Sequence, residues 1–402
     1  MMKILSINQK YEVHGGSDRY FFNLNELLAA NGHSVYDFAA RGNLESSSNF
    51  HSFFPEQVKF DYKSPFNLIN YLYNYEAKNK LSDMLESIGN ADLAHLQIYY
   101  GQLTVSIVDL LKSKGIPIIQ TLHEYKFSCP VYTHLKKSEI CHDCTKFGPI
   151  SCVKNMCKDD SVIKSIVRYL EFKFSKFKGD RTLIDQFICV SNFQKNLMIE
   201  AGVPEDKLNV VYNFVQAKNI KLNSSNDGYY LYFGRLEQLK GLTTLLEAAK
   251  LLQQYRFVIA GDGPYKTDLI KFIKDNSLKN IEFVGFKNGS ELWDMLARSK
   301  AVIVPSEWYE NCSMTVLEAK AYYKPVIASA IGGITEQITN TEDGFLFAPK
   351  DISGLVGAIE NLESLTENEY REMSLKSRAD LDERYSADVH YSNLLSVYGK
   401  VL

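Results

Sequence analysis

The chain lacks any apolar run of about 18 residues, the length a helix needs to cross a bilayer, so no transmembrane helix is expected. It also lacks low-complexity tracts and internal similarity at solenoid periods, which sets aside repeat arrays. Charge of one sign is scarce. With 45 basic and 48 acidic residues the net charge is −3, giving no overall pull towards nucleic acid or membrane and leaving only local patches open. The opening "MMKILSINQKYEVHGG" meets amide and charged residues too early for a secretory leader. A cytoplasmic protein is therefore expected, with its seven cysteines kept reduced. The dinucleotide fingerprint G-x-G-x-x-G is missing: "AGDGP" (260–264) is the nearest approach, and no acid stands at the spacing that would read an NAD ribose. No Asp-x-Asp sits at a strand end to hold a divalent metal.

What is present is an alternation. Short apolar strands such as "KILSINQ", "HSVYDFAA" and "IPIIQTL" are separated by helix patterns, and the alternation restarts after the polar stretch 217–228 with "YYLYFGRL", "RFVIAGDGP", "IEFVGF", "AVIVPS", "PVIASA" and "GFLFAP". At 402 residues, two domains are expected. The fold class is α/β: two doubly wound Rossmann-like domains facing one another across a cleft, with ligands at the carboxyl ends of the strands. The boundaries read as 1–216, 217–385, and a closing helix in 386–402 that packs back on the first domain.

The chemistry-bearing residues sit at strand ends. "FGRLEQLKG" puts Arg235 straight after a strand and Lys240 five residues on, and a guanidinium fork with a point ammonium on one loop suits a diphosphate. The plain alternative is a solvated surface pair. In "EWYENCSMTVLE" (307–318), Glu310 precedes a small polar turn, Asn311-Cys312-Ser313, and Glu318 lies on the helix that follows. Amides at a helix start favour an anion. A rise of roughly 12 Å between the two acids would let Glu310 take sugar hydroxyls and Glu318 a ribose diol. In the first half, Gly15 and Gly16 of "HGGSDR" can let backbone approach a diphosphate, or simply make a flexible turn. His123 closes the strand "IPIIQTL" and can hydrogen-bond a sugar, against the plainer reading of a structural histidine.

These stretches, together with "TLHEYKFSCP", "ICVSNFQKNL" and "ASAIGGITE", make the chain similar over nearly its whole length to the retaining glycosyltransferases of family 4, which have the two-domain GT-B fold. The resemblance implies that Arg235 and Lys240 bind the donor diphosphate, Glu318 the ribose, and Glu310 the transferred sugar, with His123 contacting that sugar. It implies transfer from a nucleotide-diphosphate sugar, UDP-linked, to a glycan or lipid-linked glycan in surface polysaccharide synthesis, without a cofactor for catalysis. Asn311-Cys312-Ser313 departs from the glycines or Gly-Phe pair many members carry there, so the sugar pocket differs in shape. A nucleotide-sugar epimerase of similar fold and a catalytically silent partner of another transferase are the alternatives.

Two features lie outside that set. Five of the seven cysteines, Cys129, Cys141, Cys144, Cys152 and Cys157, cluster in an insert spanning 129–157. Cys141-His-Asp-Cys144 with Cys152 and Cys157 has the look of a structural zinc site, although a second Cys-x-x-Cys is missing and free thiols fit as well. In "VIKSIVRYLEFKFSKFKGDR" (162–181), Ile163, Ile166, Val167, Leu170, Phe174 and Phe177 recur at helical spacing opposite Lys164, Arg168, Glu171, Ser175 and Lys178. The plain expectation is an apolar face packed on the core with the polar face in solvent. The sharper one is a surface that meets anionic lipid.

Overall fold

The computed structural model describes residues 1–44, 47–58, 65–217, 220–222 and 226–402. The chain forms two compact units, Met1–Val211 with Tyr391–Leu402, and Tyr212–His390. The linker stretch 217–228 lies partly outside the described residues.

In the first unit the strands are Lys3–Lys10 (β1), Ser34–Ala40 (β2), Leu93–Leu96 (β3), Ile118–Leu122 (β4), Gln186–Cys189 (β7) and Leu208–Val210 (β8), with a small hairpin of Leu135–Lys136 (β5) and Glu139–Ile140 (β6) between the fourth and fifth of them. The six form one parallel sheet in the order β2-β1-β3-β4-β7-β8. The chain reverses direction across the sheet between β1 and β3, the switch point of a doubly wound fold. Strands β3 and β4 are buried along their whole length, as parallel strands covered on both faces should be. A histidine in such a strand needs two partners. His95 has them: Nδ1 pairs with the Tyr398 hydroxyl at 2.7 Å and Nε2 with Thr121 Oγ1 at 2.7 Å. The first of these bonds ties the C-terminal segment to this sheet.

The second unit holds Tyr229–Arg235 (β9), Arg256–Asp262 (β10), Ile281–Gly285 (β11), Ala301–Val304 (β12), Val326–Ser329 (β13) and Gly344–Phe347 (β14), all parallel in the order β11-β10-β9-β12-β13-β14. Here the switch point lies between β9 and β12. Aliphatic and aromatic side chains of these strands pack against helices on both sides, and Lys320, fully buried, bridges Asp343 and Asp380 at 2.6 Å each. Both units are doubly wound Rossmann-like folds, as the alternation of strand and helix patterns predicts.

One helix is turned the other way round from its plain expectation. Val162–Phe177 buries Ser165, Val167, Glu171, Phe172 and Ser175, while Ile163, Ile166, Leu170 and Phe177 are exposed at 55, 39, 41 and 85%. The cause is a set of polar partners inside the unit. Glu171 pairs with Lys126, both side chains 3% exposed. Arg168 lies over the rings of Tyr71 and Tyr132 at 5.5 and 5.4 Å. Once those charges are satisfied inside, four of the six residues of the expected apolar face turn outward, while Val167 is buried and Phe174 packs half-buried against Tyr73.

Candidate active site

In the second unit the site is built at the ends of β9 and β12, on either side of the switch point. After β9 the chain makes a tight turn at Gln238–Lys240 and passes through Gly241, whose φ of 72° is left-handed. A Cβ there would lie 1.7 Å from the Pro305 carbonyl oxygen, so only glycine lets this turn rest on the end of β12. The result is that Lys240 meets Glu310. Its Nζ lies 2.6 Å from Glu310 Oε1 and 5.2 Å from the Trp308 ring centre. Ser306 Oγ and Trp308 Nε1 donate to the same oxygen at 2.8 and 3.0 Å. Burial works to raise the pKa of Glu310, but the Lys240 charge and these hydrogen bonds overcome it and hold the carboxyl below its usual range. Glu310 is therefore an anion at neutral pH whose second oxygen takes no part in these three bonds.

The backbone of Glu310 is fixed from the other side by the turn after β13. Gly332 is left-handed at φ 58°, and a Cβ there would lie 2.5 Å from Glu310 O. Gly333 N donates to that same oxygen at 2.7 Å. Cys312 and Ser313 are buried, and the helix Met314–Ala321 begins directly after them. The Ser313 amide, expected to face a phosphate, is already bonded to Gln337 Oε1 at 2.7 Å, and Gln337 Nε2 returns to Ser313 O at 3.1 Å. Burial pushes the Cys312 thiol up to about 12, so it stays protonated. Glu318 lies on this helix, 8% exposed. Arg235 is not drawn into the Lys240–Glu310 pair. It is 54% exposed at its side chain, 3.1 Å from Glu237 Oε1.

The first unit gathers a second group of residues. His123, just past β4, pairs through Nε2 with Gln97 Oε1 at 2.8 Å, just past β3, and the Tyr20 ring packs edge-on at 4.9 Å. Burial drives the imidazole down to about 3, so it is neutral in ordinary buffers. At the start of the first helix, the amides of His14 and Gly15 donate to Asp18 Oδ2 at 3.0 and 3.2 Å. The Gly15 amide thus already has a partner within its own turn. A Cβ on Gly15 would meet nothing within 4 Å, so the protein's own packing does not demand glycine there. Gly16 opens the helix Gly16–Ala30.

Sequence reasoning did not find Asp18, Gln97, Ser306 or Trp308. Asp18 is legible in retrospect as the third residue of a capping pattern in "GGSD". Ser306 and Trp308 stand four and two residues before Glu310, in the stretch that joins the strand to it. Gln97 carries no local signal.

In the cysteine-rich insert, Cys144 Sγ lies 4.0 Å from Pro149 O and Cys152 Sγ 3.8 Å from Ser165 O, while the Cys141 sulfur accepts from the Asp143 amide at 3.4 Å. Cys144 is pushed far up by its hydrogen bond to Cys152 and by burial, and burial takes Cys129 to about 11 and Cys157 to about 12. Among the described residues no group of three or more His, Cys, Asp or Glu side chains is placed to hold a metal ion. Of the expected set Cys141, Cys144, Cys152 and Cys157, Cys144 and Cys152 are turned to carbonyls and to one another. Among the described residues no helix is long and apolar enough to cross a membrane.

Comparison with known proteins follows the same division. Residues 14–219 match Glycosyltransferase Family 4, and residues 215–380 match Glycosyl transferases group 1. An uncharacterized glycosyltransferase of Methanocaldococcus jannaschii is 26% identical over 290 residues, 72% of this chain and 77% of that protein. The O-antigen chain mannosyltransferase C of Escherichia coli is 28% identical over 180 residues, where the alignment spans 44% of this chain and 47%, about half, of that relative. Among solved structures, a glycosyltransferase from Rickettsia africae superposes with a TM-score of 0.72 at 20% identity, over 99% of this chain and 98% of that one. The Anabaena protein HepE, in complex with UDP and glucose, gives 0.71 at 17% identity, over 99% and 100%.

Proposed function

Because this chain belongs to glycosyltransferase family 4, we propose that it is a retaining enzyme, moving a hexose from a UDP-sugar to a glycan or lipid-linked glycan acceptor in the synthesis of a surface polysaccharide. The observation that carries this reading is the Lys240–Glu310 pair at the switch point of the second unit. An ammonium with three donors can hold the carboxylate and a phosphate oxygen together, and so join the two ends of a nucleotide-diphosphate sugar. Arg235, half-exposed beside Glu237, supplies a guanidinium fork for the diphosphate. Glu318 accepts the ribose hydroxyls, and the second oxygen of Glu310 accepts hydroxyls of the sugar. With the Ser313 amide taken by Gln337, the turn Asn311-Cys312-Ser313 acts on the diphosphate through the dipole of the helix that follows.

Transfer with retention lets the leaving phosphate and the incoming hydroxyl share one face of the sugar, so no side-chain nucleophile is needed. The residues act by position and by meeting the charge that grows on the leaving diphosphate. Arg235 and Lys240 meet that charge in place of a metal. His123, neutral, gives or takes one hydrogen bond with the sugar, and the open space at Gly15 lets backbone approach the donor. The closeness in fold of a UDP-bound protein supports the choice of UDP.

The test is incubation with a panel of nucleotide sugars and acceptors, followed by mass spectrometry and by NMR of the new anomeric centre. Acceptor-dependent product with the donor's anomeric configuration is expected. A stereoisomeric nucleotide sugar formed from donor alone would mark an epimerase, and donor binding without turnover on any acceptor would mark a silent partner.

A further inference from the structure

The helix Val162–Phe177 turns several of its apolar residues outward. Its exposed residues are Val162, Ile163, Ile166, Leu170, Lys173, Lys176 and Phe177. Ile163, Ile166, Leu170 and Phe177 fall at helical spacing on one side, so they form a stripe rather than scattered surface apolar residues. The only acid on this helix is Glu171, and it is buried against Lys126. The outward face therefore carries apolar side chains and lysines with no negative charge. Lys146 and Lys154, also exposed, lie in the insert, whose Ser151–Lys154 helix packs against this one.

We infer that the outward face of Val162–Phe177 docks on the surface of an anionic phospholipid bilayer, lying in its interface and not crossing it. An apolar stripe beside lysines is the composition that burial among acyl chains and attraction to anionic headgroups favour together. A second copy of the chain fits less well. A two-fold contact through this face would offer Lys173 and Lys176 no partner of opposite charge, because the helix's one acid, Glu171, is buried. The inner side of the helix is fastened, through Glu171 and Lys126, to the loop that leaves His123.

The test is flotation of the full-length protein with vesicles of phosphatidylglycerol and phosphatidylcholine, against vesicles of phosphatidylcholine alone, with no nucleotide sugar present. Its outcome is thus independent of the transfer reaction. The wild type is expected to float with anionic vesicles at low salt and to be lost from them as salt rises. The triple variant Ile166→Gln, Leu170→Gln, Phe177→Gln should lose roughly tenfold in partitioning, and Lys173→Gln with Lys176→Gln should remove most of the salt dependence. These side chains are exposed, and an unchanged circular dichroism spectrum and melting temperature would show that the variants fold. No flotation of the wild type at low salt overturns the inference. So does a wild-type dimer that the triple variant converts to monomer, because the stripe would then be covered by a second copy.

Discussion

Lys240 and Glu310, seventy residues apart in sequence, meet at 2.6 Å between Nζ and Oε1. The contact joins the turn after the first strand of the second unit to the turn after its fourth. It is also what keeps a buried carboxyl ionised.

Glu310→Gln should reduce transfer at least about a hundredfold while leaving affinity for free UDP within a few-fold, because it acts on the sugar. Glu318→Gln should instead weaken free UDP roughly tenfold, the loss of charge-assisted hydrogen bonds to the ribose. Calorimetric titration with UDP separates the two. Equal losses of UDP affinity in both variants would reject this division of roles.

Lys240→Met removes the charge that offsets burial at Glu310, so the carboxyl pKa should rise. The acid limb of the pH–rate profile should then move to higher pH, along with a fall in turnover. A profile of unchanged shape would mean that Glu310 is held ionised by its other donors.

Gly241→Ala would place a methyl carbon against the Pro305 carbonyl in a left-handed residue. A loss of more than about 2 kcal/mol in urea unfolding is expected. Near-wild-type stability would mean the turn can move off the end of β12.

Glu171→Ala should cost about 3–5 kcal/mol, because it strands Lys126 in the interior, whereas replacing both residues by leucine and methionine should recover most of that loss. Denaturant midpoints of the single and double variants decide the matter. An additive double variant would show that the two side chains do not act as a pair.

His390 is buried, its Nδ1 is 2.7 Å from Tyr212 O, and burial lowers it to about 4. The unfolded chain takes up a proton near pH 6.5 that the folded one refuses. Stability should therefore be unaffected above that pH and fall by up to about 3 kcal/mol as pH drops towards 4. His390→Gln should flatten that part of the melting-temperature profile. An equally steep fall in the variant would assign the acid lability to other groups, such as His123 and His134, which burial also lowers.

Much of this could be read from the residues alone. β-branched and aromatic runs spaced by helix patterns dictate two parallel sheets, because such strands must be covered on both faces. Arg235, Lys240, Glu310 and Glu318 stand out because they follow strand ends, where a doubly wound sheet opens to a ligand. Tertiary structure alone decided the partners. Whether Lys240 faces solvent or Glu310 depends on a turn seated on β12. Whether the Ser313 amide is free depends on Gln337, twenty-four residues away. The helix Val162–Phe177 shows the limit most plainly. Periodicity specifies that it has an apolar face and a polar face, but it does not say which one the unit buries. Lys126 and the rings of Tyr71 and Tyr132, brought in from distant segments, satisfy Glu171 and Arg168 inside, and the apolar face is left for the surface.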